Sequence, residues 1–285
     1  MQDRTNGPLL LRRLGGELRR VRRESGISQA VVAKALRCSQ DTVSNIERGR
    51  KKPTDKQIER ILTTCEASSN DCELVLKLAG EAGEADRAWW DEYQDVFSPK
   101  LLRFFAYEDA AEAIHSYSAT YVPGMLQTRR YVEAFAEFLQ SDESLAYRKR
   151  FVQLRLERRR VIDQGDKLVR CVFLEAGLRA AVGGPDVMRE QIASLIEHAR
   201  RPNVSLHLIP FAAGAAALAG PPFTVMTFPS STDPNVLFSE MTKNGEFSEE
   251  QLTVEKALRR FDHFLRAALS EDDTVRLMEK VAREL

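Results

Sequence analysis

Residues 28–53, SQAVVAKALRCSQDTVSNIERGRKKP, hold two short helical patterns, a tight break between them and a closing run of cations. Ser28 is placed to cap a first helix, in which Val31, Val32, Ala35 and Leu36 recur at helical spacing. Arg37 and Cys38 make the break. Ser39 is a second cap, and residues 40–48 then form a helix whose only strongly apolar positions are Val43 and Ile46, stopped by Gly49. Two apolar anchors seat a helix on a core without burying it. Gln40, Asp41, Thr42, Ser44 and Asn45 are left facing outward.

The flanks extend this pattern. Leu14, Leu18 and Val21 give an upstream apolar stripe ending at Gly26-Ile27. Downstream, Thr54 and Gln57 form a capping-box pair, opening a helix with Ile58, Ile61 and Leu62, and Leu74, Val75 and Leu78 close a five-helix unit. A helical hairpin inside a larger core, its charges merely solvated, is the plain alternative. A polar helix on a five-helix base is instead what a helix-turn-helix DNA reader requires. Gln and Asn amides on such a helix can pair bidentately with adenine, each pair giving about 1–3 kcal/mol of base discrimination. Arg48, Arg50, Lys51 and Lys52 lie where the chain would leave the groove beside phosphates.

LRRVRRESGISQAVVAKAL and SQDTVSNIERGRKKP resemble the Xre/Cro/cI family of helix-turn-helix domains, over about residues 11–80. The resemblance implies that Gln29 braces the recognition helix and touches a phosphate. It places Gln40, Asp41 and Asn45 toward the bases and Ser39 and Thr42 toward the DNA backbone. It also implies that Arg22 and Glu47 form an ion pair tying the first helix to the recognition helix. One departure stands out. The family often has Gly in the turn, where this chain has Arg37. A non-Gly residue in a left-handed turn costs about 1 kcal/mol, so a reshaped turn is expected.

Residues 1–60 carry 15 Lys and Arg against 7 Asp and Glu, so residues 61–285 carry 27 against 35 and the formal balance of the whole chain is zero. This asymmetry fits a DNA reader joined to an acidic regulatory domain, and argues against a second general nucleic-acid surface. No apolar run approaches the ~20 residues of a membrane span, and MQDRTNGPLL lacks the apolar centre of a signal peptide. A cytoplasmic protein with no membrane partner is expected. Cys38, Cys65, Cys72 and Cys171 form no C-x-x-C pair, and His115, His198, His207 and His263 share no ligand spacing with them. Buried free thiols are expected, with no metal and no cofactor.

The domain reading is a flexible arm at 1–10, the reader at 11–80, a small-residue hinge at 81–88 and a second domain at 89–285. Trp89, Trp90, Tyr93 and Phe97 read as its anchor, or as an exposed protein-binding patch. SPKLLRFFAYEDAAEAI reads as a helix, HSYSATYV as a short extended stretch and Pro123-Gly124 as a turn, followed by helices at 128–139 and 144–163. The last has seven cations between Arg148 and Arg160, a solvated or salt-bridged face or else an anionic-effector or partner site. KLVRCVFLE, VSLHLIPF, FTVMTF and NVLFSEM read as strands, with a helix at GGPDVMREQIASLIEHARR between the first two. Ser248 and Ser270 are expected to cap two final helices. AAGAAALAGPP reads as a mobile loop. The fold class is therefore an all-α, five-helix helix-turn-helix domain followed by an α+β domain, a small sheet covered by helices.

WWDEYQDV, VPGMLQT, EAGLRAAVGGPDVMREQ, RPNVSLHLIPFAAG and PPFTVMTFP together resemble the C-terminal domain of an actinobacterial set of Xre-type regulators, often encoded beside small partner proteins in toxin–antitoxin-like pairs. The resemblance implies dimerisation and sensing of a ligand or partner. The expected function is a transcriptional regulator that binds double-stranded operator DNA as a homodimer. An antitoxin-like module that holds a small partner protein is the alternative, and an enzyme fused to a DNA reader a third. No catalytic constellation is legible: Glu92, Asp95, Glu108, Glu175 and Glu240 have no pairing that sequence establishes. By physical type, Arg155 and Arg159, one turn apart, are candidates to clamp an anion, with Tyr121, Met125 and Phe223 lining an apolar cleft beneath the small-residue loop.

Overall fold

The computed structural model describes residues 7–84, 88–218, 220–228, 233–240 and 245–285. They divide into two compact units, the first ending at Glu92 and the second running from Tyr93 to Leu285. No described helix is long and apolar enough to cross a membrane.

The first unit has five helices: α1 (Gly7–Glu24), α2 (Gln29–Leu36), α3 (Gln40–Glu47), α4 (Asp55–Thr64) and α5 (Ser69–Glu84). Leu10, Leu14, Leu18 and Val21 of α1 meet Val32, Val43, Ile46, Ile58 and Ile61 in one core. Residues 7–10 therefore belong to α1, not to a loose arm: Leu10 stands one turn before Leu14 and is buried with it. Residues 1–6 of that arm lie outside the described residues. On α5, Val75, Leu78 and Ala82 face inward, whereas Leu74 falls on the outer face. That helix continues to Glu84, so residues 81–84 of the expected hinge are helical, and residues 85–87 lie outside the described residues.

Caps define the helix ends. Ser28 Oγ accepts from Val31 N–H, and Ser39 Oγ from Thr42 N–H, caps of about 1 kcal/mol each. Thr54 and Gln57 make the reciprocal capping box. Arg37 adopts the left-handed conformation (φ 52°, ψ 45°) that glycine usually supplies. The turn is therefore not reshaped. Cys38 N–H reaches Ala33 O at 3.0 Å and Arg37 N–H reaches Lys34 O at 3.2 Å, which offsets the local cost by closing the end of α2.

The second unit is α+β. In chain order it comprises α6 (Pro99–Ala110), β1 (Ala113–Ser118), α7 (Arg129–Leu139), α8 (Leu145–Glu157), α9 (Arg160–Asp163), β2 (Leu168–Leu174), α10 (Ala176–Arg179), α11 (Pro185–Ala199), β3 (Val204–Ile209), β4 (Phe223–Thr227), β5 (Val236–Ser239), β6 (Glu246–Ser248), α12 (Gln251–Ala267) and α13 (Glu271–Glu284). The strand order is β3-β2-β1-β4-β5-β6. The β1–β2 and β2–β3 pairs are parallel, the other three antiparallel. Tyr117, Val172, Val225 and Leu237 face Val254, Phe261 and Phe264 of α12. Neighbours of opposite parity (Ile114, Cys171, Phe173, Met226) are also buried, and on that side Phe104 of α6 packs on Phe238 of β5. A sheet covered on both faces explains why its strands read as apolar runs.

Four boundaries differ from the sequence reading. The helix expected through Ile114 stops at Ala110, because Ala113 and Ile114 pair with Leu168 and Val169. The long helix at 144–163 breaks at Arg158-Arg159. Ser248 belongs to β6, paired with Leu237, so α12 begins at Gln251. The small-residue stretch at 212–218 forms 3-10 turns kinked at Gly214, with Ala213, Ala216 and Ala217 packed on the α12-side core. Of the free cysteines, Cys65 and Cys171 are buried but Cys38 and Cys72 only half-buried. Trp90, Tyr93 and Phe97 are buried, and Phe97 packs on Tyr147 and Phe151.

Candidate nucleic-acid interface

Two close backbone approaches position α3. A Cβ at Gly15 would lie 2.4 Å from the Ile46 carbonyl oxygen, and one at Gly49 would lie 2.5 Å from Arg12 Cα. Both glycines let α1 lie directly against the end of α3. Gly49 also takes the left-handed turn (φ +62°) that lets Arg50 N–H reach Asn45 O at 2.8 Å.

The ends of α1 and α3 are joined by a buried polar network. Arg22 donates through Nε and Nη2 to the two Glu47 oxygens at 2.5 and 2.9 Å, and through Nη1 to Ile27 O at 2.8 Å. Gln29 Nε2 donates to Glu47 Oε2 at 2.8 Å. The carboxylate thus accepts three bonds while its side chain is only 4% exposed, against 10% for Arg22. The Glu47 hydrogen bonds push the Arg22 guanidinium above its ordinary pKa, against the opposing effect of burial. Helix, brace and ion pair form one fixed unit.

Val43 and Ile46 point into the core beneath this network, leaving Gln40 and Asp41 exposed and Ser44 and Asn45 partly exposed. Ser39 Oγ and Thr42 Oγ1 lie 3.1 Å apart at the start of α3. Arg48, Arg50, Lys51 and Lys52 are exposed around its end, with Lys52 Nζ directed to Ala82 O near the end of α5. An open polar cleft beside α3 is bordered by Arg19, Arg23, Gln29, Gln40, Ser44 and Arg48. Arg19 and Arg23 were missed by the sequence reading. Their signal was a second cationic stripe, at i and i+4, beside the apolar stripe of α1. The arrangement offers amides and hydroxyls to base edges and cations to phosphates.

The second unit brings only part of the candidate ligand set together. Arg155 and Arg159 do not form a clamp: α8 ends between them, and Arg159 lies where its charge helps hold the His198 imidazole below its usual pKa, behind the larger effect of burial. The neighbour of Arg155 is Arg158, whose like charge Arg155 feels. Arg158 donates to both Glu108 oxygens at 2.6 and 2.7 Å. Burial pushes the Glu108 carboxyl up in spite of this guanidinium. Tyr121 donates to Glu240 at 2.8 Å, and its phenol is pushed up by burial and by that carboxylate. Met125 is fully buried in the turn after Pro123. Phe223 belongs to the α12-side core, on which Ala213, Ala216 and Ala217 of the small-residue stretch also pack.

Two family models match. One, described as a helix-turn-helix domain, covers residues 13–74. The other, described as a domain of unknown function (DUF5753), covers residues 101–280. No curated protein and no solved structure shows significant similarity to the chain.

Proposed function

The chain belongs to the family defined by the domain of unknown function DUF5753, joined here to a helix-turn-helix domain, and on this premise we propose that it is a sequence-specific DNA-binding transcriptional regulator of Xre type. The observation that carries the proposal is α3 itself: a polar helix seated by Val43 and Ile46 and locked by the Glu47 network. Gln40, Asp41 and Asn45 read bases in the major groove. Gln29, Ser39, Thr42, Arg48, Arg50, Lys51 and Lys52 meet the backbone, joined by Arg19 and Arg23. Residues 93–285 serve dimerisation and the sensing of a ligand or partner, without catalysis. Four of the carboxylates weighed for catalysis are already engaged: Asp95 by Arg150, Glu108 by Arg158, Glu175 by Arg179 and by Phe211 N–H, and Glu240 by Tyr121.

Selection of genomic DNA fragments by the purified full-length chain tests this function. Recovery of one inverted-repeat sequence, with half-sites about 34 Å or a multiple apart, is the expected result. Recovery without sequence enrichment would overturn it. The same geometry requires a dimer, so the full-length chain is expected to sediment at twice its monomer mass at micromolar concentration. A monomer both free and on DNA contradicts the paired-reader arrangement.

Replacing Lys51 and Lys52 by Gln is expected to weaken specific and non-specific binding alike. The slope of log affinity against log salt should become shallower by about 0.9 for each phosphate that is no longer neutralised. An unchanged slope removes these two residues from the interface.

A second reading, an antitoxin-like module acting through a partner protein, is favoured by one observation. Phe138, Leu139 and Leu145, around the α7–α8 turn, are 81%, 53% and 61% exposed, three large apolar side chains that a protein partner would cover. Co-purification of a small protein, abolished in Phe138→Ser, would establish that reading.

A further inference from the structure

The second unit contains a cavity of about 440 Å³ between α6, α8 and the end of β5, within the size range of small-molecule sites. Much of its wall is aromatic. Phe97, Phe104, Phe105, Phe151 and Phe238 all face it, and the rings of Phe104 and Phe238 lie 4.6 Å apart. Charged groups reach it as well: Arg155, Arg158 and Glu240, with Glu143 exposed at its edge.

The two guanidiniums differ. Arg158 is neutralised by its two bonds to Glu108, which is 1% exposed. Among the described residues, the hydrogen bond that Arg155 makes runs from Nη1 to the neutral amide oxygen of Gln127, at 3.2 Å. Gln127 is itself oriented, because its Nε2 donates to Val122 O at 2.8 Å and so turns the amide oxygen toward Arg155. The guanidinium also lies over the Phe151 ring at 4.8 Å. Among the described residues, no carboxylate forms an ion pair with it. The turn backbone is pressed close to both guanidiniums, since a Cβ at Gly124 would fall 2.5 Å from Arg158 Nη1 and 3.2 Å from Arg155 Nη1. Arg155 is thus held in place without an ion pair among the described residues, the more distant Glu240 carboxylate offsetting only part of its charge. Burial, and then the like charge of Arg158, hold its pKa down at about 10. A carboxylate brought into the cavity offsets both effects by stabilising the charged guanidinium.

Glu240 sets the limit on charge. Tyr121 fixes it at the same cavity, where it repels any ligand with more negative charge than Arg155 can offset.

We propose that this cavity binds a small organic monocarboxylate with an apolar, aryl-sized body, the carboxylate on Arg155 and the body against the phenylalanine wall, and that Glu240 excludes phosphate and other dianions. The inference deepens the sensing role proposed above and rests on it for what the occupied cavity does.

Calorimetric titration of the full-length chain with phenylacetate, phenylpropionate and phenylbutyrate tests it, each beside the neutral alcohol of equal length and inorganic phosphate. At least one acid is expected to bind about tenfold or more tighter than its alcohol, a preference of about 1.4 kcal/mol. Phosphate should not displace it. Arg155→Gln should abolish the preference while leaving the alcohol's affinity unchanged. The inference falls if no acid binds the unmodified chain, if acid and alcohol bind equally, or if phosphate competes. Those comparisons need no variant, so a misfolded Arg155→Gln leaves them intact. DNA affinity measured with and without the tightest acid separates the two layers. Binding with unchanged DNA affinity supports the site and removes the sensing role, whereas sequence-specific DNA binding with an empty cavity removes only the site.

Discussion

Glu47→Ala is expected to unfold the helix-turn-helix unit before it changes which bases are read. The substitution leaves Arg22 buried with only the Ile27 carbonyl as an acceptor and frees the Gln29 amide that braces α3. Removing one partner of a buried pair costs about 3–5 kcal/mol, a large part of the roughly 5–15 kcal/mol that holds a typical domain together. Replacing both partners, Arg22→Met with Glu47→Leu, should recover much of the loss, because no charge is then left buried. Chemical denaturation of the full-length chain, followed at the helical transition of the first unit, checks both statements. A transition that stays in place for Glu47→Ala, with a changed operator preference, would move Glu47 from the scaffold to the readout.

Neighbouring glycines of α1 should respond in opposite directions. Gly16 is exposed and a Cβ there meets nothing within 4 Å. Gly16→Ala is therefore expected to stabilise the unit by about 0.8–1 kcal/mol through helix propensity. At Gly15 the same methyl would stand 2.4 Å from the Ile46 carbonyl oxygen and 2.9 Å from Glu47 backbone atoms. Backbone cannot swing aside as a side chain can, so α1 and α3 must separate. The expected cost is about 1–3 kcal/mol, with weakened DNA binding because the recognition helix shifts with its support. Denaturation midpoints of the two variants, measured side by side, decide the point. Shifts of the same sign would mean that α1 and α3 are not in backbone contact.

The two glycines also show where sequence reading ran out. Both stand in one helical pattern as an undifferentiated pair, and nothing in their neighbours says which faces α3. Leu74 failed in the same way. The apolar run Leu74-Val75-Leu76 is compatible with more than one helix phase, and only the position of α5 against the core selected Val75, Leu78 and Ala82. In the second unit, Ala113 carries high helical propensity, yet with the β-branched Ile114 it belongs to β1, because pairing with β2 satisfies the backbone and buries both side chains. Tertiary context overrode local preference there.

What the chain dictates by itself is the part written in adjacent residues. Ser28, Ser39 and the Thr54–Gln57 box mark helix starts because a cap reaches only two or three positions along the backbone. The seating of α3 was legible because two anchors in a polar helix leave no other face to bury. Apart from Arg22–Glu47, which the family resemblance implied, pairs between distant residues were not legible. Arg158 meets Glu108 across 50 positions, and Tyr121 meets Glu240 across 119. Nothing in the local sequence distinguishes Arg158 from the six other cations of its stretch. The break of α8 after Glu157 and the close turn at Gly124 decide that Arg158 is neutralised, that Arg155 is held beside a neutral amide, and that Arg159 turns away. Charge and type come with the residue, but which charge is left uncompensated depends on how a low-dielectric interior is assembled around it, and that is a property of the tertiary structure alone.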